Sequence, residues 1–279
     1  MNKLKIVTLT ALLAMPFVGL SPAHAQQTQK PAKTGGGKAT TDAISRAVEK
    51  DPRVQANGKN WRLDKATVVD ATRPRVLLIG DSILNGYQGL VVKKLQGKAY
   101  VDAWVNPYCQ SEYFNKLLTD VLQQNGPYDV VHFNLGLHGF QKDRTVKGSS
   151  EKLPRIPDGQ FEPLTKALVQ VIKKANPQAK IIWASTTPIS TNGNPMELDP
   201  VNNPLIVEHN RMAAKVMAEE KVPVNDLYTP SATHPEMKEN SFHWKGAGRN
   251  LQGEAVVAAV LKELPAKRQA VLPIDGQAK

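Results

Sequence analysis

Val76-Leu77-Leu78-Ile79-Gly80-Asp81-Ser82-Ile83-Leu84 is a run of four large apolar residues that stops at a glycine and gives way to two small polar residues. Continuous rather than alternating hydrophobicity fits a strand buried on both faces, and the glycine marks a sharp turn at its end. Asp81 and Ser82 then stand just past the carboxyl end of a parallel strand, where open α/β sheets place their ligands.

Further apolar runs follow at regular intervals. Ala99 to Val105, Val130 to Asn134, Ile181 to Ala184 and Val222 to Val224 read as strands. Amphipathic segments lie between and after them, at Leu84 to Leu95, Ser111 to Gln124, Phe161 to Lys174, Asn203 to Glu220 and Ala247 to Glu263. This alternation is the βαβ signature, so the sequence predicts a three-layer α/β/α sandwich around a five-stranded parallel sheet, with right-handed crossovers. Two stretches, Gln141 to Pro157 and Ser190 to Asn203, leave the carboxyl ends of strands and read as surface excursions that wall a binding site.

The segments before the domain are of another kind. Met1 to Ala25 carries Lys3 and Lys5, an apolar run broken at Thr8, Thr10, Pro16 and Gly19, and Ala23-His24-Ala25. That is the order of a secretory signal peptide, so the expected location is periplasmic or secreted. The apolar run is shorter than the ~20 residues of a membrane span, and no later stretch qualifies, so no membrane span is expected in the mature chain. Residues 26–41, with Gly35-Gly36-Gly37, read as a flexible tether. Residues 42–74 read as an accessory segment, a helix over 42–54 interrupted by Pro52 and then a strand over 61–69. The domain is expected over 75–264 and a poorly ordered tail over 265–279.

Composition narrows the chemistry. The 279 residues are 41% hydrophobic and 22% charged, ordinary for one domain with a sizeable core. The net charge of +11 is spread over scattered lysines and arginines with no basic-aromatic motif, which argues against nucleic acid as a partner. Cys109 is the single cysteine, so no intrachain disulfide can form. Neither paired cysteines nor a His-Glu-x-x-His run is present, so neither a metal nor another cofactor is implied.

A serine hydroxyl needs a base to take its proton, and the base needs something to hold it. Of the six histidines, His24 leaves with the signal, His132 lies inside an apolar strand, His209 is mid-helix and His234 sits in a loop beside Pro235. His138 and His243 fall at the expected carboxyl edge of the sheet.

On these residues the chain resembles the SGNH, or GDSL-type, hydrolases, a superfamily of esterases, lipases and carbohydrate deacetylases with a flavodoxin-like sheet. The resemblance runs over about residues 75 to 264. It implies that Gly80-Asp81-Ser82 is the first block, with Ser82 as nucleophile and its N–H as an oxyanion donor. In the second block, Asn106-Pro107-Tyr108-Cys109-Gln110-Ser111 lacks the usual glycine, and Cys109 best fits its position. In the third, Asn134-Leu135-Gly136-Leu137-His138-Gly139 keeps the glycine as Gly136 but has His138 where the family has asparagine; Asn134 is a fallback donor. The last block, usually Asp-x-x-His, is here Asn240-Ser241-Phe242-His243. His243 is then the expected general base, and Asn240 stands where an acid belongs. Glu239, Asp226 or a main-chain carbonyl are the alternatives for holding His243. The resemblance implies hydrolysis of carboxylic esters, with an acylated carbohydrate or other small ester as substrate. Two other readings follow from the same residues: a lysophospholipase or lipid esterase, and a non-catalytic glycan-binding protein that kept the fold.

Overall fold

The computed structural model describes residues 45–55, 60–145 and 152–268. The expected signal peptide and tether, and the tail from 269 onward, lie outside the described residues.

Five strands form the parallel core of the sheet. They are β3 (Arg75–Gly80), β4 (Tyr100–Val105), β5 (Val130–Asn134), β8 (Lys180–Ala184) and β11 (Val224–Asn225). Their spatial order is β4-β3-β5-β8-β11. This is the flavodoxin-like order, in which the chain reverses direction across the sheet between its first and third strands, here β3 and β5. The apolar runs are continuous because both faces are covered. Val76, Leu78, Val101 and Ala103 pack with α1 (Ser82–Lys94) and α6 (Gly246–Glu263) on one side. Leu77, Ile79, Trp104, Val131 and Phe133 pack on the other, against α2 (Glu112–Asn125), α3 (Phe161–Ala175) and α4 (Asn202–Glu219).

The accessory segment departs from the sequence reading. No helix spans 42–54 among the described residues; β1 (Arg46–Val48) pairs antiparallel with β2 (Arg62–Ala66), which pairs antiparallel with β4. Among the described residues the sheet therefore has seven strands, two antiparallel ones added to the five parallel strands expected. Pro52 stops helical propagation, and Asp51 instead caps a turn, its carboxylate accepting from the Arg53 N–H at 2.9 Å. The exposed β1 is held through its backbone and through Arg46, whose guanidinium donates to the Val101 carbonyl at 2.8 Å. The strand expected over 61–69 is β2.

The excursions are hairpins. The first pairs β6 (Lys142–Thr145) with β7 (Lys152–Pro154), and the second pairs β9 (Ser190–Thr191) with β10 (Asn194–Leu198). A short α5 (Tyr228–Ala232) and a 3-10 turn at Pro235–Met237 connect β11 to α6. The start of the expected tail is fixed: Arg268 donates from its backbone to Thr72 O at 2.9 Å and from its side chain to Pro127 O at 2.6 Å.

Candidate active site

Ser82 is the first residue of α1, directly after β3. The chain can turn there because Gly80 lacks a Cβ, which would stand 2.7 Å from the Leu84 Cβ and 3.1 Å from the Asn134 carbonyl. Asp81 caps the helix, accepting from the Ile83 N–H at 2.8 Å. As the first helical residue, Ser82 has a backbone N–H with no intrahelical acceptor, at the positive end of the helix dipole.

His243 arrives from the other end of the domain, in the loop before α6. Its Nε2 lies 3.0 Å from the Ser82 Oγ. The ring is half-buried, and burial lowers its pKa below the ordinary imidazole value. Glu239 pulls upward, while Arg249 and Lys238 push the same way as burial. The ring is therefore neutral at pH 7, the state in which one nitrogen accepts a proton.

The two residues face a cleft of about 500 Å³ lined by Asn60, Trp61, Asn85, Leu137, His138, Gln141, Phe242 and Arg249 among others. His138 is thus in the cleft, its ring edge-on to Trp61 with centroids 5.9 Å apart. The Arg155 guanidinium stands 3.4 Å from the His138 Nδ1. Only the first excursion reaches the cleft, through Gln141. The second does not line it; its Ser190 N–H instead donates to the Ser241 carbonyl beside His243 at 2.9 Å.

Several of the other sequence candidates have structural employment. The Asn134 amide donates to the Ala184 and Ser185 carbonyls at 3.2 and 3.1 Å, which joins the ends of β5 and β8. Gly136 is needed for close approach, because a Cβ there would overlap the Thr186 side chain. Thr186 cannot retreat, since Asn210 holds both its N–H and its carbonyl, at 2.8 and 2.9 Å. Cys109 lies in the β4–α2 connection with its side chain against the core and is not among the cleft-lining residues. Asp81 is buried, and desolvation raises its pKa to about 7. His132 is a core histidine, fully buried, 3.2 Å from the Asn225 amide, its pKa lowered to about 4 by burial.

The groups proposed to hold His243 sort clearly. Asn240 does not address the ring: its Oδ1 accepts from the Phe242 and His243 backbone N–H groups at 3.0 and 2.9 Å. Asp226 is occupied elsewhere, accepting from Ser185 and from the Tyr228 and Thr229 N–H groups, each at 3.0 Å. Glu239 is electrostatically close but is paired with Arg249 at 2.6 Å. Among the described residues no carboxylate is hydrogen-bonded to the imidazole, and the arrangement is a serine paired with a histidine.

Trp61, Asn60, Asn85 and Arg249 are cleft residues that sequence reasoning missed. Asn85 and Arg249 had no signal beyond lying on helices. Trp61 had a weak one, an aromatic residue at the edge of a polar stretch. Among the described residues no group of three His, Cys, Asp or Glu side chains is placed to hold a metal ion, and no described helix is long and apolar enough to cross a membrane.

Solved structures share this architecture. The chain has the SGNH-hydrolase fold. An acetyl xylan esterase superposes with a TM-score of 0.54 at 17% identity, over 67% of this chain and 99% of its own. A lipase/acylhydrolase from Enterococcus faecalis gives 0.53 at 20% identity, over 70% and 100%. An acetyl xylan esterase from Geobacillus stearothermophilus gives 0.52 at 17% identity, over 71% and 98%. No family model and no curated protein matches the sequence. At such identities the likeness concerns the SGNH fold, and the chemistry has to be argued from the side chains.

Proposed function

We propose that the protein is an exported serine esterase that removes small acyl groups, acetyl foremost, from a carbohydrate. The observation that carries this reading is the 3.0 Å contact between His243 Nε2 and Ser82 Oγ at the floor of an open cleft. It is within the range for proton transfer. The names of the fold neighbours, acetyl xylan esterase and acylhydrolase, agree with it.

In the first step His243 Nε2 takes the Ser82 proton as Oγ bonds to the ester carbonyl carbon, and the carbonyl oxygen becomes an oxyanion. The Ser82 N–H at the start of α1 is its first donor, with His138, which lines the same cleft, as a further candidate. Collapse of the tetrahedral intermediate breaks the carbon–oxygen bond to the sugar, whose oxygen receives the proton from His243. Water then attacks the acyl-serine with His243 again as base. The acid is released and Ser82 Oγ regains its proton.

The carbohydrate side of the proposal rests on the lining. Asn60, Asn85 and Gln141 offer both donors and acceptors, and Trp61 offers a flat apolar face, a combination that suits a polyhydroxylated ring better than an alkyl chain. Nitrophenyl esters of increasing chain length separate the two enzyme readings: preference for acetate supports deacetylation, and preference for long chains supports a lipid esterase.

A non-catalytic reading is favoured by one observation, the engagement of Asn240 with backbone rather than ring. Labelling with a fluorophosphonate decides. We expect the wild-type protein to be labelled and Ser82→Ala not; an unlabelled wild type inert toward acyl esters, but retaining glycan binding, would establish the scaffold reading.

A further inference from the structure

Lys238 is a buried lysine at the carboxyl end of the sheet. Its relative exposure is 1%, yet no carboxylate is hydrogen-bonded to it. Its Nζ donates to the Pro188 carbonyl at 2.5 Å and the Ser241 carbonyl at 3.0 Å and sits 4.7 Å from the centre of the Trp244 ring. An ammonium group held only by carbonyls and an aromatic face is costly to bury, which calls for a compensating role.

Its place in the loop suggests that role. Residues 238 to 244 form a closed turn: Lys238 and Trp244 pair as an antiparallel bridge, and the Glu239 N–H donates to the His243 carbonyl at 2.9 Å. Asn240 Oδ1 holds the Phe242 and His243 N–H groups from inside. The Ser241 carbonyl, at the tip, accepts both from Lys238 Nζ and from the Ser190 N–H of β9. The same Nζ reaches Pro188, in the connection that follows β8. Lys238 is thus the side chain that joins the turn carrying His243 to the carboxyl edge of the sheet.

We propose that Lys238 is the positioning residue for His243, doing through the backbone of the 238–244 turn part of what a carboxylate on the imidazole does in a triad. An acid in that place fixes the ring and stabilises its charged form. Lys238 fixes the turn but pushes the imidazole the other way, because its positive charge disfavours protonation of His243. The charged groups that act on the ring are Glu239 and Lys238 from its own turn and Arg249 from α6. Burial is the first cause of the lowered His243 pKa; Glu239 and Arg249 are paired with each other, and Lys238, whose own pKa burial lowers to about 7, adds to the effect while it is protonated. The base consequently stays neutral, and available, further into the acid range.

The inference rests on the reading of Ser82 and His243 as nucleophile and base, and its test separates the two. Lys238→Met keeps an apolar stem against Trp244 and removes the charge and both hydrogen bonds. Toward a nitrophenyl acetate we expect kcat to fall about 10-fold or more, since small misplacements of a reacting group are expensive, with KM unchanged and the acid limb of kcat/KM moved to higher pH. A folded Lys238→Met with unaltered kcat and acid limb would overturn the proposal. Lys238→Arg gives a second reading, because it keeps the charge and hydrogen-bond donors: its acid limb should stay at the wild-type pH, and a limb moved up as far as in Lys238→Met overturns the proposal. A wild type inert toward esters, whose His243 titration nevertheless rises in Lys238→Met, supports the positioning role and rejects the esterase reading.

Discussion

The two ends of the sheet treat their buried charges in opposite ways. At the amino end Asp102, 1% exposed, accepts from Arg75 at 2.9 Å, from the Tyr128 hydroxyl at 2.8 Å and from the Ala66 N–H at 2.8 Å. That carboxylate is held by three donors and does not line the cleft that Ser82 and His243 face. At the carboxyl end Asp81 is buried with the Ile83 N–H as its side-chain hydrogen bond, Lys238 is buried without an acid, and His243 meets a serine and no carboxylate. A fully compensated charge secures the fold, whereas under-compensated groups shift their pKa values toward neutrality and become reactive. The same sheet carries stability at one end and chemistry at the other.

Substitutions should break the comparison along this line. The largest effect is expected for Ser82→Ala and His243→Ala, each lowering kcat toward acetyl esters by about 10⁴-fold or more while leaving the melting temperature nearly unchanged. Asp102→Ala should do the reverse. Removing one partner of a buried ion pair costs about 3–5 kcal/mol, so denaturant unfolding should show a large loss of stability, with the specific activity of the protein still folded intact. Trp61→Ala should raise KM for an acetylated oligosaccharide about 3–10-fold, the order of an aromatic contact, with no change toward a nitrophenyl acetate. An equal loss on both substrates would place Trp61 among structural residues instead.

A further effect concerns pH. Because burial raises the Asp81 pKa to about 7, above its unfolded value, the folded state binds the extra proton between about pH 4 and 7. The stability this group contributes is present below that window and is lost as pH rises through it. Asparagine caps a helix as well as aspartate does. Asp81→Asn should therefore match the wild type in melting temperature near pH 4 and exceed it above pH 7.

Legibility in the sequence followed the same division between local and long-range causes. The strand read as Val76–Ile79 is β3 at Arg75–Gly80, and the helix read as Phe161–Lys174 ends one residue later. Buried parallel strands and amphipathic helices carry their burial pattern in contiguous residues. β1 was misread as helix because its three residues are exposed and their pairing partner lies 16 or more positions away. In the site, Ser82 and His243 were legible from short local patterns. Trp61, Arg249 and Lys238 were not, since each owes its place to an element far along the chain. Asn134 was misjudged as a donor for the same reason: the carbonyls that occupy its amide belong to the end of β8. Asn240 is legible as a departure, but the bonds of its oxygen to the turn rather than to the ring appear only in the folded chain.

The central claim is that Ser82 and His243 work as a nucleophile and base without a carboxylate on the imidazole. Its most direct test is the pH dependence of kcat/KM for a small acetate ester in the wild type and in Asn240→Asp, which preserves the cap on the turn and restores a negative charge. The account predicts an active wild type with a single acid limb below the ordinary imidazole value, and a limb moved to higher pH in the variant. A wild type that gains measurable activity only on Asn240→Asp would contradict it.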